Sequence, residues 1–177
     1  MVPVKLPDMN AEVFGIYLHW LYTNKLTFTD YPLQDLHALA AGQRSALAPE
    51  LHQALVKLSI LAHSLEDNHF QNLVIDMLLR TRDYGVVDLP SSRTMRLAYE
   101  YLPRESQMRL LLVHLFASMA EPVALDINRD ANPWELYVDI AIELRRAAQA
   151  GVVPDEPGWE GRCGQWHHHS DAAKKCS

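Results

Sequence analysis

Apolar side chains recur along most of this chain at the three-and-four spacing that buries one face of a helix. Leu51, Leu55, Leu58, Leu61, Ala62 and Leu65 form one such stripe, with Lys57 and Glu66 off it. Phe70, Leu73, Val74, Met77 and Leu78 form a second, after Asp67 and Asn68, either of which can cap a helix start. Met95, Ala98, Tyr99 and Leu102 form a third after Ser91 or Ser92, and Pro103 closes it. Met108, Leu111, Leu112, Leu115, Phe116 and Met119 form a fourth after Ser106. A fifth helix has Asn132 as cap, Pro133 at the first helical position, Glu135 three residues after the cap, and Leu136, Ile140 and Leu144 as its stripe. Gly151 is placed to end it.

The stretch from Ala11 to Thr23 differs. Val13, Phe14, Ile16, Tyr17, Leu18, Trp20 and Leu21 cover every face, which predicts a helix at the centre of a domain, touched from several sides. Asn24 can adopt the left-handed conformation that ends it. Val4, Lys5 and Leu6 read as a short strand with no partner nearby in the chain. Residues 25–49, with Pro32, Gly42 and Pro49, read as a loop holding one short helix near 33–41, the regular period returning at Glu50. The expectation is a mainly α fold of about six helices, packed around Phe14, Trp20, Leu58, Leu61, Phe70, Val74, Leu111 and Leu115. A short N-terminal strand precedes them and an irregular tail follows.

Composition narrows the function classes. With 177 residues, 49% of them apolar and 21% charged, the chain has the makeup of one packed domain. A formal charge of −6 opposes broad contact with nucleic acid or an anionic membrane. The most apolar run, residues 110–120, is too short to span a bilayer and contains His114 and Ser118. The N-terminus lacks a signal-peptide layout. Both cysteines lie in the tail, which suits a reducing compartment, so a cytoplasmic or nuclear protein is expected.

No sequence motif places a nucleophile, a base and an oxyanion site together. The glycines at 15, 42, 85, 151, 158, 161 and 164 make no phosphate loop, and there is no Gly-x-Ser-x-Gly or His-Glu-x-x-His, so catalysis is not expected. Histidines 19, 37, 52, 63, 69 and 114 are scattered and read as partly exposed or satisfied helix residues. Arginines 80, 82, 93, 96, 104 and 109 interleave with acids at 76, 83, 88, 100 and 105, and read as solvated faces. Metal-like spacing appears in the tail alone, where Cys163, His167, His169 and Cys176 give C-x3-H-x-H-x6-C. These are ligand types that close a tetrahedral zinc site, although the spacing fits no common zinc finger. A zinc centre, an unstructured tail and a disulfide or redox role all remain open for these four residues.

The segment from Val4 through Met9, Glu12-Val13-Phe14, Leu18-His19-Trp20-Leu21 and Tyr22-Thr23-Asn24-Lys25 resembles the middle of a BTB/POZ domain. That family shows a short strand, an acidic turn, an "EVF" helix start and a hydrophobic-Tyr-Thr-Gly-Lys ending; Asn24 stands where Gly is usual. Leu55-Val56-Lys57-Leu58, Leu61-Ala62 and Phe70-Gln71-Asn72-Leu73-Val74-Ile75-Asp76 are similar to a run in the fungal members. So are Tyr99-Glu100 before Pro103 and Arg109-Leu110-Leu111-Leu112-Val113, and such chains also end in a Cys/His-bearing stretch like that from Cys163 to Cys176.

The resemblance implies the C-terminal, helical part of a BTB/POZ domain over 1–82, a helical extension over 83–151 and the Cys/His tail over 152–177. The family's long first helix, early strands and most of its dimer interface would lie before Val4. It also implies a non-catalytic adaptor or scaffold that binds other proteins, such as a second BTB-bearing chain or a cullin-type scaffold; the alternatives are a small metal-binding protein whose site is the Cys/His tail, with the helices as scaffold, and a non-functional fragment. The hydrophobic-x-Glu element that assists cullin binding in the family would lie upstream too.

Overall fold

The computed structural model describes residues 11–27, 39–83, 86, 88–119, 131–152, 154 and 166–167. Six helices stand among them: α1 (Ala11–Thr23), α2 (Ala41–Ser64), α3 (Asn68–Asp83), α4 (Ser92–Tyr101), α5 (Gln107–Met119) and α6 (Trp134–Ala150). The mainly α expectation holds. The strand at residues 4–6 and residues 33–38 of the expected short helix lie outside the described residues. None of the described helices is long and apolar enough to cross a membrane.

Local chemistry explains most of the helix ends. Asp67 Oδ1 accepts from the Phe70 amide at 2.9 Å, Ser91 Oγ from Thr94 at 3.3 Å and Ser106 Oγ from Arg109 at 3.1 Å, each satisfying an amide the helix cannot. Asn24 (φ 54°) ends α1 and Gly151 (φ 68°) ends α6, where Val152 N–H reaches back to Ala147 O at 3.0 Å.

Two boundaries depart from the sequence-based expectation. α2 begins at Ala41, not Glu50, and runs straight through Pro49. An interior proline removes one backbone hydrogen bond and costs about 3 kcal/mol. Ala48, Leu51, Leu55 and Leu58 are fully buried on the same helix, and their packing outweighs that penalty. Gln43 supports the earlier start by accepting the Ala40 amide on Oε1 at 3.0 Å. At α6 the N-cap position falls on Pro133, one residue later than expected. Asn132 does not cap: its side-chain amide donates to the Tyr137 hydroxyl at 3.3 Å.

α2 is the spine. It packs against α1, α3 and α4, while α6 lies across α5 and α4. A continuous core runs from Val13 on α1 through Phe70, Met95, Leu111 and Leu136 to Trp166 in the tail. Seven of the eight expected core residues are in it, and Phe14 is the exception. α1 is not central. It sits at the edge of the bundle, burying Val13, Ile16 and Trp20 and turning Phe14, Leu18, Leu21 and Tyr22 outward. On α6 the stripe stops after Ile140, and Leu144 is exposed.

Candidate functional site

Three features outside the ordinary core have chemistry to offer. The first is α1. Its inner side is fixed by an aromatic cluster: Tyr17 meets Phe70 edge-on at 4.9 Å and Trp20 lies 4.6 Å from the same ring. The Tyr17 hydroxyl donates to Asp67 Oδ2 at 3.0 Å, so one aspartate both caps α3 and anchors α1. Burial, then the Asp67 carboxylate, raises the Tyr17 hydroxyl above its ordinary pKa. With the helix held this way, Phe14 (38% exposed), Leu18 (38%), Leu21 (53%) and Tyr22 (88%) form a second stripe at i, i+4, i+7 and i+8, pointing away from the body. A Cβ added at Gly15, on the same open side, would meet nothing within 4 Å.

The second feature is a charge cluster, buried except for Arg104, on α4, α5, α6 and the turn between α4 and α5. Asp139 Oδ1 accepts from Arg104 Nη2 at 2.8 Å, and its Oδ2 from Arg109 Nη2 at 3.2 Å and the Tyr99 hydroxyl at 3.1 Å. The Arg109 guanidinium also lies 3.8 Å above the centre of the Tyr99 ring. Burial raises the Tyr99 pKa, and the Asp139 charge raises it further. Arg109 is therefore no solvated arginine, contrary to the sequence expectation, and Arg82 is buried as well. A carboxylate on the face that holds Leu136 and Ile140 was the available signal. Its partners lie 30 to 40 residues away in the chain, and no local pattern names them. Beside this cluster lies a cavity of about 540 Å³ lined by Arg104, Arg109, Leu110, Ile142, Arg146 and Trp166, among others.

The third feature is the tail. Of the four tail residues that read as metal ligands, His167 is described, and Cys163, His169 and Cys176 lie outside the described residues. The His167 side chain is almost fully buried, with Nε2 2.8 Å from Asp76 Oδ1 on α3. Its neighbour Trp166 is buried with its ring 5.4 Å from that of His114, whose Nδ1 is 3.0 Å from Glu143 Oε1. Among the described residues no three His, Cys, Asp or Glu side chains gather as a metal would need. The remaining notable histidine, His52, is buried in α2 with Nδ1 lacking a partner. Desolvation first, then the Arg82 charge, lowers its pKa to about 4.

No family model, no curated protein and no solved structure matches this chain.

Proposed function

We propose that the chain is a non-catalytic protein–protein interaction module that docks a partner on the outer face of α1. The observation that carries this reading is the apolar stripe of Phe14, Leu18, Leu21 and Tyr22. Each large apolar side chain left in water forgoes up to about 1.5–3 kcal/mol of burial. A helix that is apolar on two opposite sides is better suited to lie between two bodies than at an edge.

Size argues about the occupant. A helix of 13 residues is about 20 Å long and 10 Å wide. Two copies pairing through this stripe alone would bury well under the roughly 1,200 Å² of a stable specific interface. The occupant is therefore a larger body that covers α1 and its surroundings together. The resemblance to BTB/POZ domains supplies one of fitting kind: the sheet-bearing half of such a domain, provided by another polypeptide segment. In this role α2 and the start of α3 hold α1 in place, and the buried charge cluster fixes α6 against α4 and α5.

The test joins the first half of a fungal-type BTB/POZ domain before Val4 and compares it with the chain as given, by light scattering coupled to size exclusion and by thermal melts. The fusion is expected to melt higher and to run as one discrete species, where the chain alone self-associates without fixed stoichiometry. Leu18→Asp with Leu21→Asp should abolish the gain. A sharp, stable monomer from the chain alone, with no gain on fusion, overturns the proposal.

A further inference from the structure

α2 and α4 pack against each other, and a cleft of about 530 Å³ opens between them. One wall is the α2 pair Gln53 and Lys57, one helical turn apart. The other is the α4 row Arg93, Arg96, Leu97 and Glu100, at i, i+3, i+4 and i+7. Three cationic side chains thus face one carboxylate, a local excess of two positive charges on a chain whose formal charge is −6. The cavity beside Asp139 differs, because there the acids match the arginines in number. Arg96 is set in place by Ala131, whose carbonyl, also at the cleft, accepts from Arg96 Nε at 2.6 Å. Lys57 is half-buried between the core residues Val56 and Leu58. Among the described residues neither Lys57 nor Arg93 pairs with a carboxylate. A half-buried ammonium that no carboxylate neutralises, beside two guanidinium groups, carries a repulsion that a bound anion relieves.

We propose that this cleft binds a small phosphate monoester through its phosphate group. The local excess of two positive charges matches a dianion. The arginine forks and the Lys57 ammonium are the donor types that phosphate oxygens take, and the Ser92 hydroxyl and Gln53 amide add uncharged donors at the same cleft. Leu97 gives the organic part of the ligand an apolar contact. The volume falls within the range of about 300–1,000 Å³ typical of small-molecule sites. A long polyanion is disfavoured, because the positive charge is confined to one cleft of an acidic chain. No residue of α1 lines the cleft, so this site is separate from the proposed docking face.

The test titrates phenyl phosphate into the full chain at pH 7.5, where a phosphate monoester carries close to two charges, in about 0.15 M salt, which screens long-range attraction. Binding is followed by the amide resonances of the 15N-labelled protein. The amides of residues 53–57 and 92–100 should shift together and saturate, with a midpoint at or below about 1 mM. Benzoate, a monoanion on the same ring, should bind about tenfold more weakly. Lys57→Gln should weaken phenyl phosphate binding about tenfold, and Lys57→Arg should restore it to within about twofold. Glu100→Gln should tighten binding about twofold or more, because it removes the one like charge at the cleft. The last variant gains affinity, so a folding defect cannot mimic its effect. No saturation by about 10 mM, equal binding of benzoate, or indifference to both Lys57→Gln and Glu100→Gln overturns the proposal. A phosphoserine pentapeptide that binds more than about tenfold tighter than phenyl phosphate also overturns it, because the occupant would then be a protein segment.

Discussion

Lowering the pH should destabilise this fold through one side chain, His52. It lies on α2 at 2% exposure, with Nδ1 unpartnered and the Arg82 guanidinium opposing a second positive charge. Its pKa is lowered from 6.5 to about 4, chiefly by desolvation, with Asp88 working weakly the other way. Protonation therefore favours the unfolded chain. The neutral ring costs nothing above pH 6.5, and stability is lost as the pH falls from there toward 4. One pKa unit corresponds to about 1.4 kcal/mol, so the full loss is about 3 kcal/mol, and about 2 kcal/mol is gone by pH 5. Against a total of about 5–15 kcal/mol, that is a large share.

The assay is urea unfolding at pH 7.5, 6.5, 5.5 and 5.0 on the protein and on His52→Leu, which keeps the site filled and cannot take a proton. The difference between the two proteins isolates His52 from every other titrating group. At pH 7.5 it is set by packing alone. It should then shift in favour of His52→Leu by about 2 kcal/mol on going to pH 5. Parallel pH profiles would refute the reasoning, because His52 would then be finding water or a partner when charged.

Other expectations follow from named contacts. Asp139→Ala leaves the buried Arg109 guanidinium without its carboxylate and should cost about 3–5 kcal/mol in denaturant unfolding. Arg104→Ala, at a side chain 59% exposed, should cost under about 1 kcal/mol. Gly151→Ala forces a side chain onto a φ of 68° and should lower stability by about 1–2 kcal/mol, whereas Gly15→Ala, in open space inside α1, should raise it by about 0.5–1 kcal/mol. If Cys163, His167, His169 and Cys176 bind zinc, protein purified under reducing conditions with zinc present should hold about one equivalent, and Cys163→Ser with Cys176→Ser should remove it; a metal content near zero would sink that proposal.

Where a structural feature depended on neighbours in the chain, it was legible in the sequence. Asp67, Ser91 and Ser106 sit one residue before a helix or its first apolar turn, and a capping side chain needs nothing farther away than the third amide. Gly151 and Asn24 likewise act on their own backbone. Pro49 misled because its local rule is strong and what overrides it is tertiary: Ala48 and Leu51 find their cover on other elements. α1 misled for a related reason. Its pattern states correctly that both sides are apolar, but not which side the rest of the chain covers, so Phe14 was expected inside. The Arg109–Asp139–Tyr99 cluster was invisible because charged residues spaced 30 and 40 apart look like any solvated face until packing joins them.

The outer stripe of α1 is the centre of this account, and its test needs only the chain and one variant. Phe14→Ser with Leu18→Asp and Leu21→Asp removes three of the exposed apolar side chains of α1, while Val13, Ile16 and Trp20 stay in place. Light scattering coupled to size exclusion, on both proteins across a concentration series, reads the outcome directly. The unmodified chain should show a mass that rises with concentration, and the variant a constant monomer mass with an equal or higher melting temperature. A variant that melts well below the unmodified chain, with the two masses equal at every concentration, would contradict the account, because the stripe would then belong to the fold and not to a partner.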